Sequence, residues 1–198
     1  MEKYWIPLQS IPAAGKDLVL DDQDIWLKPI KEFGLDCRIL DPLKADLFIL
    51  PQEQGVLFRG RIRGQVALPC DRCAEDSAVG LDHAFDSFEP YPLDAPAPKE
   101  KGRRHLVADE PEDDDVADGV DESVIRLAPH GRGMEINPAA LVWEEFSLTL
   151  PVKPVCAESC KGLCPVCGGN LNTTPCACVK ADGDPRLAAL RGLTVKGK

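Results

Sequence analysis

The chain has 198 residues, 44% of them apolar, and a formal net charge of −10. That length suits one domain with a small appendage or a long insertion, and that apolar share allows a packed core. No run approaches the roughly 18 uninterrupted apolar residues of a membrane span, and Met1 to Gly15 lack a basic stretch followed by an apolar one, so a cytoplasmic chain without membrane contact is expected.

In chain order, Tyr4–Gln9 and Leu18–Leu20 read as short strands. Asp22–Phe33 reads as a helix, weakened by Pro29 and stopped at Gly34. Asp46–Leu50 is a further strand. Val56 to Leu68 carries the clearest alternation. Phe58, Ile62, Val66 and Leu68 share one face, and Leu57, Arg59, Arg61, Arg63 and Gln65 share the other. Gly60 and Gly64 on the apolar face imply a bend, a bulge or a close backbone approach. A tight turn, Cys70-Asp71-Arg72-Cys73, then leads into a return strand, Ala78–Phe88.

Residues 90–122 are rich in proline and acid, so a disordered insertion is expected. Residues 75–122 hold 16 acids against 4 bases, whereas 153–198 hold 7 bases against 3 acids. Val124–Leu127 reads as a strand. Asn137-Pro138 opens a helix, with Asn as cap and Pro at the first position; Leu141, Val142, Phe146 and Leu148 form its apolar side. A last helix is expected over Asp184–Gly192. The expected architecture is α+β: a mostly antiparallel β domain with flanking helices over 1–152, and a small Cys-rich, zinc-bound module over 153–198.

Eight of the nine cysteines form four close pairs: Cys70/Cys73, Cys156/Cys160, Cys164/Cys167 and Cys176/Cys178. In a reducing compartment such clusters indicate metal more than disulfides. A structural zinc site takes four soft ligands in a tetrahedron. Cys164-Pro165-Val166-Cys167-Gly168-Gly169 is a knuckle whose glycines permit the positive φ of a closed turn. By distance along the chain, Cys164, Cys167, Cys176 and Cys178 close one local site. Cys70 and Cys73 then pair with Cys156 and Cys160 across a long loop, which stabilises the fold by restricting the unfolded chain. One or two Zn2+ ions are expected. A single site drawn from the six C-terminal cysteines is a variant, and an iron–sulfur cluster is an open alternative. Cys37 stands alone and reads as a core residue.

Nothing in the pattern supports catalysis. Four thiolates leave a metal no open position. His83, His105 and His130 are scattered, and no His-Glu-x-x-His or Gly-x-Ser-x-Gly pattern is present. No enzyme activity and no small-molecule substrate are expected.

Several of these segments together resemble the YceD family, long catalogued as a domain of unknown function. They are Cys70-Asp71-Arg72-Cys73 after a strand, Leu150–Cys156, Cys160–Asn172, Cys176-Ala177-Cys178 and Asp184–Leu190. The resemblance implies a role in accumulation of large-subunit (23S) ribosomal RNA and no established enzymatic activity. The acidic stretch around 95–122 has no counterpart in it.

Arg59, Arg61 and Arg63 share a strand face on which a row of phosphate contacts is conceivable. Lys153, Lys161, Lys180, Arg186 and Arg191 extend such a surface, and a plain solvated face is the equal alternative. Two functions follow. One is a ribosome-biogenesis factor that binds rRNA or a pre-ribosomal particle. The other is a protein-only adaptor whose acidic segment engages a ribosomal protein or an assembly enzyme.

Overall fold

A computed structural model describes residues 2–92, 123–129 and 133–179. Short 3-10 turns flank the first strand, β1 (Ile6–Pro7). β2 (Lys16–Leu20), helix α1 (Asp24–Glu32) and three long strands follow: β3 (Arg38–Pro51), β4 (Gly55–Pro69) and β5 (Asp76–Pro90). After the acidic segment come β6 (Ile125–Leu127), β7 (Met134–Ile136) and helix α2 (Pro138–Thr149). A four-stranded sheet has the order β2-β3-β4-β5, and a three-stranded one the order β1-β7-β6. The registers are antiparallel in β2–β3, β1–β7 and β6–β7. The protein is thus mostly antiparallel sheet with two helices among the described residues, and none of its helices there is long and apolar enough to cross a membrane.

The backbone clusters into two compact units that do not follow chain order. One comprises Met1–Leu35, Ile39–Val66 and Gly80–Leu150; the other comprises Asp36–Arg38, Ala67–Val79 and Pro151–Lys198. The first unit holds the main core. Trp26 of α1, Phe58 and Ile62 of β4, Ile49 of β3 and Phe146 of α2 are all fully buried there.

Local chemistry accounts for most boundaries. Asn137 Oδ1 accepts from Ala140 N at 3.2 Å, capping α2 with Pro138 at its first position. α1 runs through Pro29, whose ring is buried; the missing N–H costs one bond in a short helix. Gly34, at φ +61°, then ends it. β3 is far longer than the Asp46–Leu50 segment read from sequence. β2 pairs only with Ala45–Ile49, so Pro42 falls where β2 has ended and its missing donor disrupts no β2 bond.

Gly60 and Gly64 of β4 are close approaches, as expected. A Cβ at Gly60 would stand 2.4 Å from the Phe85 ring, and one at Gly64, where φ is +149°, 2.5 Å from Leu43 Cδ2. Leu148 departs from expectation: it is 73% exposed. The buried stripe of α2 runs through Leu141, Val142 and Phe146, and Leu148, two residues past Phe146, points away from it. Cys37 is only half-buried, not a core residue; burial and then Asp36 raise its thiol pKa. Most of the acidic segment and the expected terminal helix, Asp184–Gly192, lie outside the described residues.

Candidate metal centres

Both cysteine quartets assemble within the second unit. Cys70, Cys73, Cys156 and Cys160 form one group; Cys164, Cys167, Cys176 and Cys178 form the other, and within each all sulfurs lie within 4.8 Å of one another. This is the partition read from spacing, with Cys70 and Cys73 brought to Cys156 and Cys160.

The two Cys-x-x-Cys turns share one backbone grammar. In the first, Cys70 N donates to Glu75 O and Ala74 N donates to Cys70 O, each at 2.8 Å. In the second, Cys164 N donates to Gly169 O and Gly168 N to Cys164 O, again at 2.8 Å. Arg72 N donates to Cys70 Sγ at 3.5 Å, and Val166 N to Cys164 Sγ at 3.4 Å. The residue after the second cysteine has positive φ in both turns, +60° at Ala74 and +73° at Gly168. Sequence reading found the glycine and missed its alanine counterpart, because alanine carries no signal for that conformation.

Backbone bonds close the first quartet. Asp71 N donates to Pro154 O at 2.8 Å, and Leu163 N to Arg72 O at 2.9 Å. The Arg72 guanidinium donates through Nη1 to the carbonyls of Glu158 at 3.0 Å and Cys160 at 3.1 Å. Gly162, at φ +74°, lets the chain pass Arg72 O, to which a Cβ would come within 2.9 Å. Asn172, which sequence reading did not single out, donates from Nδ2 to Cys160 Sγ at 3.3 Å. Asn172 directly follows an Asn-Leu pair, and a side-chain donor at that place has no spacing signature of its own.

The sulfur spacing fits a tetrahedral ion. Four sulfurs about 2.3 Å from a central zinc would stand about 3.8 Å apart. Cys70–Cys160 is 3.9 Å, Cys73–Cys156 3.6 Å, Cys167–Cys176 3.6 Å and Cys164–Cys176 3.4 Å.

Without an ion the thiols of each group share protons unequally. Backbone N–H groups of Cys156 and then Arg72 hold the Cys70 thiol down to about 6. Those of Cys167 and Val166 hold Cys164 down to about 6. Cys156 is pushed up to about 12, first by its contact with Cys73, and Cys178 up to about 12, first by Cys176. Each group thus holds at least one thiol low through backbone donors and another high through its neighbours, and cysteines bind a metal as thiolates.

Of the eight residues expected to contact RNA, five lie among the described ones. Each of the three strand arginines has an aspartate partner on the sheet. Arg59 Nε donates to Asp86 at 2.6 Å, and Arg61 grips both oxygens of Asp82 at 2.5 and 2.6 Å. Arg63 pairs with Asp46. Lys153 and Lys161 are exposed; Lys180, Arg186 and Arg191 lie outside the described residues. His83 stands 3.2 Å from Glu145; His105 and His130 also lie outside.

The fold and the quartets define a small α+β protein with a Cys-rich module able to hold two metal ions in closed four-sulfur sites. Residues 58–194 match the family model described as large ribosomal RNA subunit accumulation protein YceD, and the chain belongs to that family. It is 30% identical over 145 residues to a maize protein named large ribosomal RNA subunit accumulation protein YCED homolog 1, chloroplastic, covering 68% of this chain and 47% of the relative. The Arabidopsis thaliana protein of that name is 23% identical over 158 residues, 77% of this chain and 48% of the relative. An uncharacterized protein of Mycobacterium tuberculosis is 27% identical over 145 residues, 72% and 59%. The chain thus spans about half the length of the curated relatives it matches. No solved structure matches it.

Proposed function

We propose that this chain is a non-enzymatic ribosome-biogenesis factor that supports accumulation of large-subunit (23S) rRNA, with structural zinc in both quartets. The observation that carries this reading is the family match over 58–194, a span that includes all eight quartet cysteines. Zinc is favoured because both sites offer four thiolates and no open position, the arrangement of a structural rather than a catalytic ion. The protein works in the cytoplasm on rRNA or a pre-ribosomal particle. Depleting it and measuring the ratio of large- to small-subunit rRNA, with gradient profiles, tests the reading. A fall in large-subunit rRNA, with the protein sedimenting at precursor particles, is expected. An unchanged ratio overturns it.

The arginine–aspartate pairs support a second reading, a protein adaptor that binds a ribosomal protein or an assembly enzyme. Paired arginines leave the sheet face nearly neutral, and the 75–122 segment, with 16 acids against 4 bases, attracts a basic partner over distance. Under this reading, deleting 95–122 abolishes binding, and high salt weakens it.

A further inference from the structure

The two quartets differ in how their sulfurs meet solvent. Cys70, Cys73 and Cys160 are buried, and Cys156 alone is exposed; in the other group Cys164 alone is buried, and Cys167, Cys176 and Cys178 are exposed. They differ also in what holds them. The first joins two distant stretches of chain through backbone bonds and the Arg72 clasp. The second is closed by one local loop, with only eight residues between Cys167 and Cys176. Exposed cysteines meet oxidants first, and a cysteine that ligates a metal is held as the thiolate whatever its free pKa.

From this contrast we propose that the second quartet is a reversible thiol-oxidation site for peroxides, whereas the first is a permanent structural site. The inference rests on the metal reading for its zinc readout only. Cys167 Sγ and Cys176 Sγ are 3.6 Å apart and both exposed. One thiolate attacks a peroxide oxygen; the O–O bond breaks, and a sulfenic acid and hydroxide form. The second thiolate displaces hydroxide from that sulfur, and the S–S bond closes. Peroxide takes up the two electrons that the thiolates lose, and the two hydroxides take up two protons to give water. Only two sulfurs would then be left to hold a metal, too few for a closed site, and an ion bound there would be released. A thiol reductant returns the electrons and restores the quartet.

Trypsin cuts after Lys161 and Lys180, so all four cysteines of the second quartet fall in the single peptide 162–180, while those of the first fall in others. The full chain, loaded with zinc, is treated with hydrogen peroxide, and its free thiols are then alkylated. The expected result is release of one zinc per chain and a 162–180 peptide lighter by two hydrogens, with the bond between Cys167 and Cys176. Reductant and zinc together reverse both. Joint release of two zinc ions, a disulfide among the first-quartet peptides, or full alkylation of 162–180 after peroxide overturns the proposal. A chain that binds no zinc sinks the metal reading instead, and the mass of 162–180 still decides the oxidation.

Discussion

Asn172 braces Cys160: its amide nitrogen donates to the sulfur at 3.3 Å, while its Oδ1 accepts from Lys161 N at 2.8 Å. Asn172 sits between Cys167 and Cys176, within the loop of the second quartet, so that loop also orients a cysteine of the first. The same bond is the leading cause of the lowered Cys160 thiol pKa. Partners one step out from a metal ligand fix its geometry and charge, and losing one typically costs roughly 10–100-fold in metal affinity. Asn172→Leu is therefore expected to weaken zinc retention at the first quartet by that order and to leave the second unchanged. Chelator competition, with the two release phases assigned by alkylating each quartet, checks it. Equal retention in variant and native chain would show the contact to be incidental.

Ala74 occupies the left-handed region that Gly168 occupies in the sister turn. An L residue there costs about 1–2 kcal/mol, and glycine offsets part of that through its greater freedom when unfolded. Ala74→Gly is expected to stabilise the second unit by about 0.5–1 kcal/mol, read as a higher denaturant midpoint with an unchanged slope. A lower midpoint would mean that the Ala74 methyl contributes packing worth more than its backbone strain.

What could be read in the sequence followed the strength of local signals. The β4–β5 hairpin was legible because Phe58, Ile62 and Val66 alternate with Arg59, Arg61 and Arg63 over a length that chance rarely sustains. α2 was legible because Asn137-Pro138 is both cap and first turn. Cysteine spacing gave the quartets, since pairing by chain distance coincides with the geometry. β7 was missed: Met134-Glu135-Ile136 is three residues long and is a strand only because β1 and β6 flank it. The first half of β3 was missed because Pro42 and neighbouring charges break the period. The aspartate partners of the arginines were invisible for another reason. Asp46, Asp82 and Asp86 are distant in sequence, and only strand register brings them alongside.

Metal removal separates the two units. The second unit is expected to depend on zinc, since its described segments contribute few buried apolar side chains and its backbone ties converge on the cysteines. The first has Trp26, Phe58 and Phe146 fully buried and needs none. Chelation is expected to raise hydrogen exchange in 67–79 and 151–179 while protection persists in β3 and α2, and buried Trp26 keeps its emission. Uniform loss of protection would mean that zinc supports the whole chain, and no change would exclude a structural metal.

The last prediction concerns the charged sheet face. Exposed ion pairs each contribute about 0–1 kcal/mol, so an arginine that leaves its aspartate for an RNA phosphate gives up little. Replacing Asp46, Asp82 and Asp86 together with Asn frees Arg59, Arg61 and Arg63 while leaving their positions intact. If the face binds rRNA, this triple variant should associate with precursor particles more tightly, by roughly tenfold, and with a steeper salt dependence, because more phosphate contacts release more counterions. The converse variant, Arg59→Glu, Arg61→Glu and Arg63→Glu, should abolish association. If a protein partner reads the alternating charges, both triple variants should lose association, because each destroys half of the pattern. Should neither variant alter association while both remain folded, the sheet face plays no part in particle binding, and the contact must come from the basic 153–198 region or from the acidic segment.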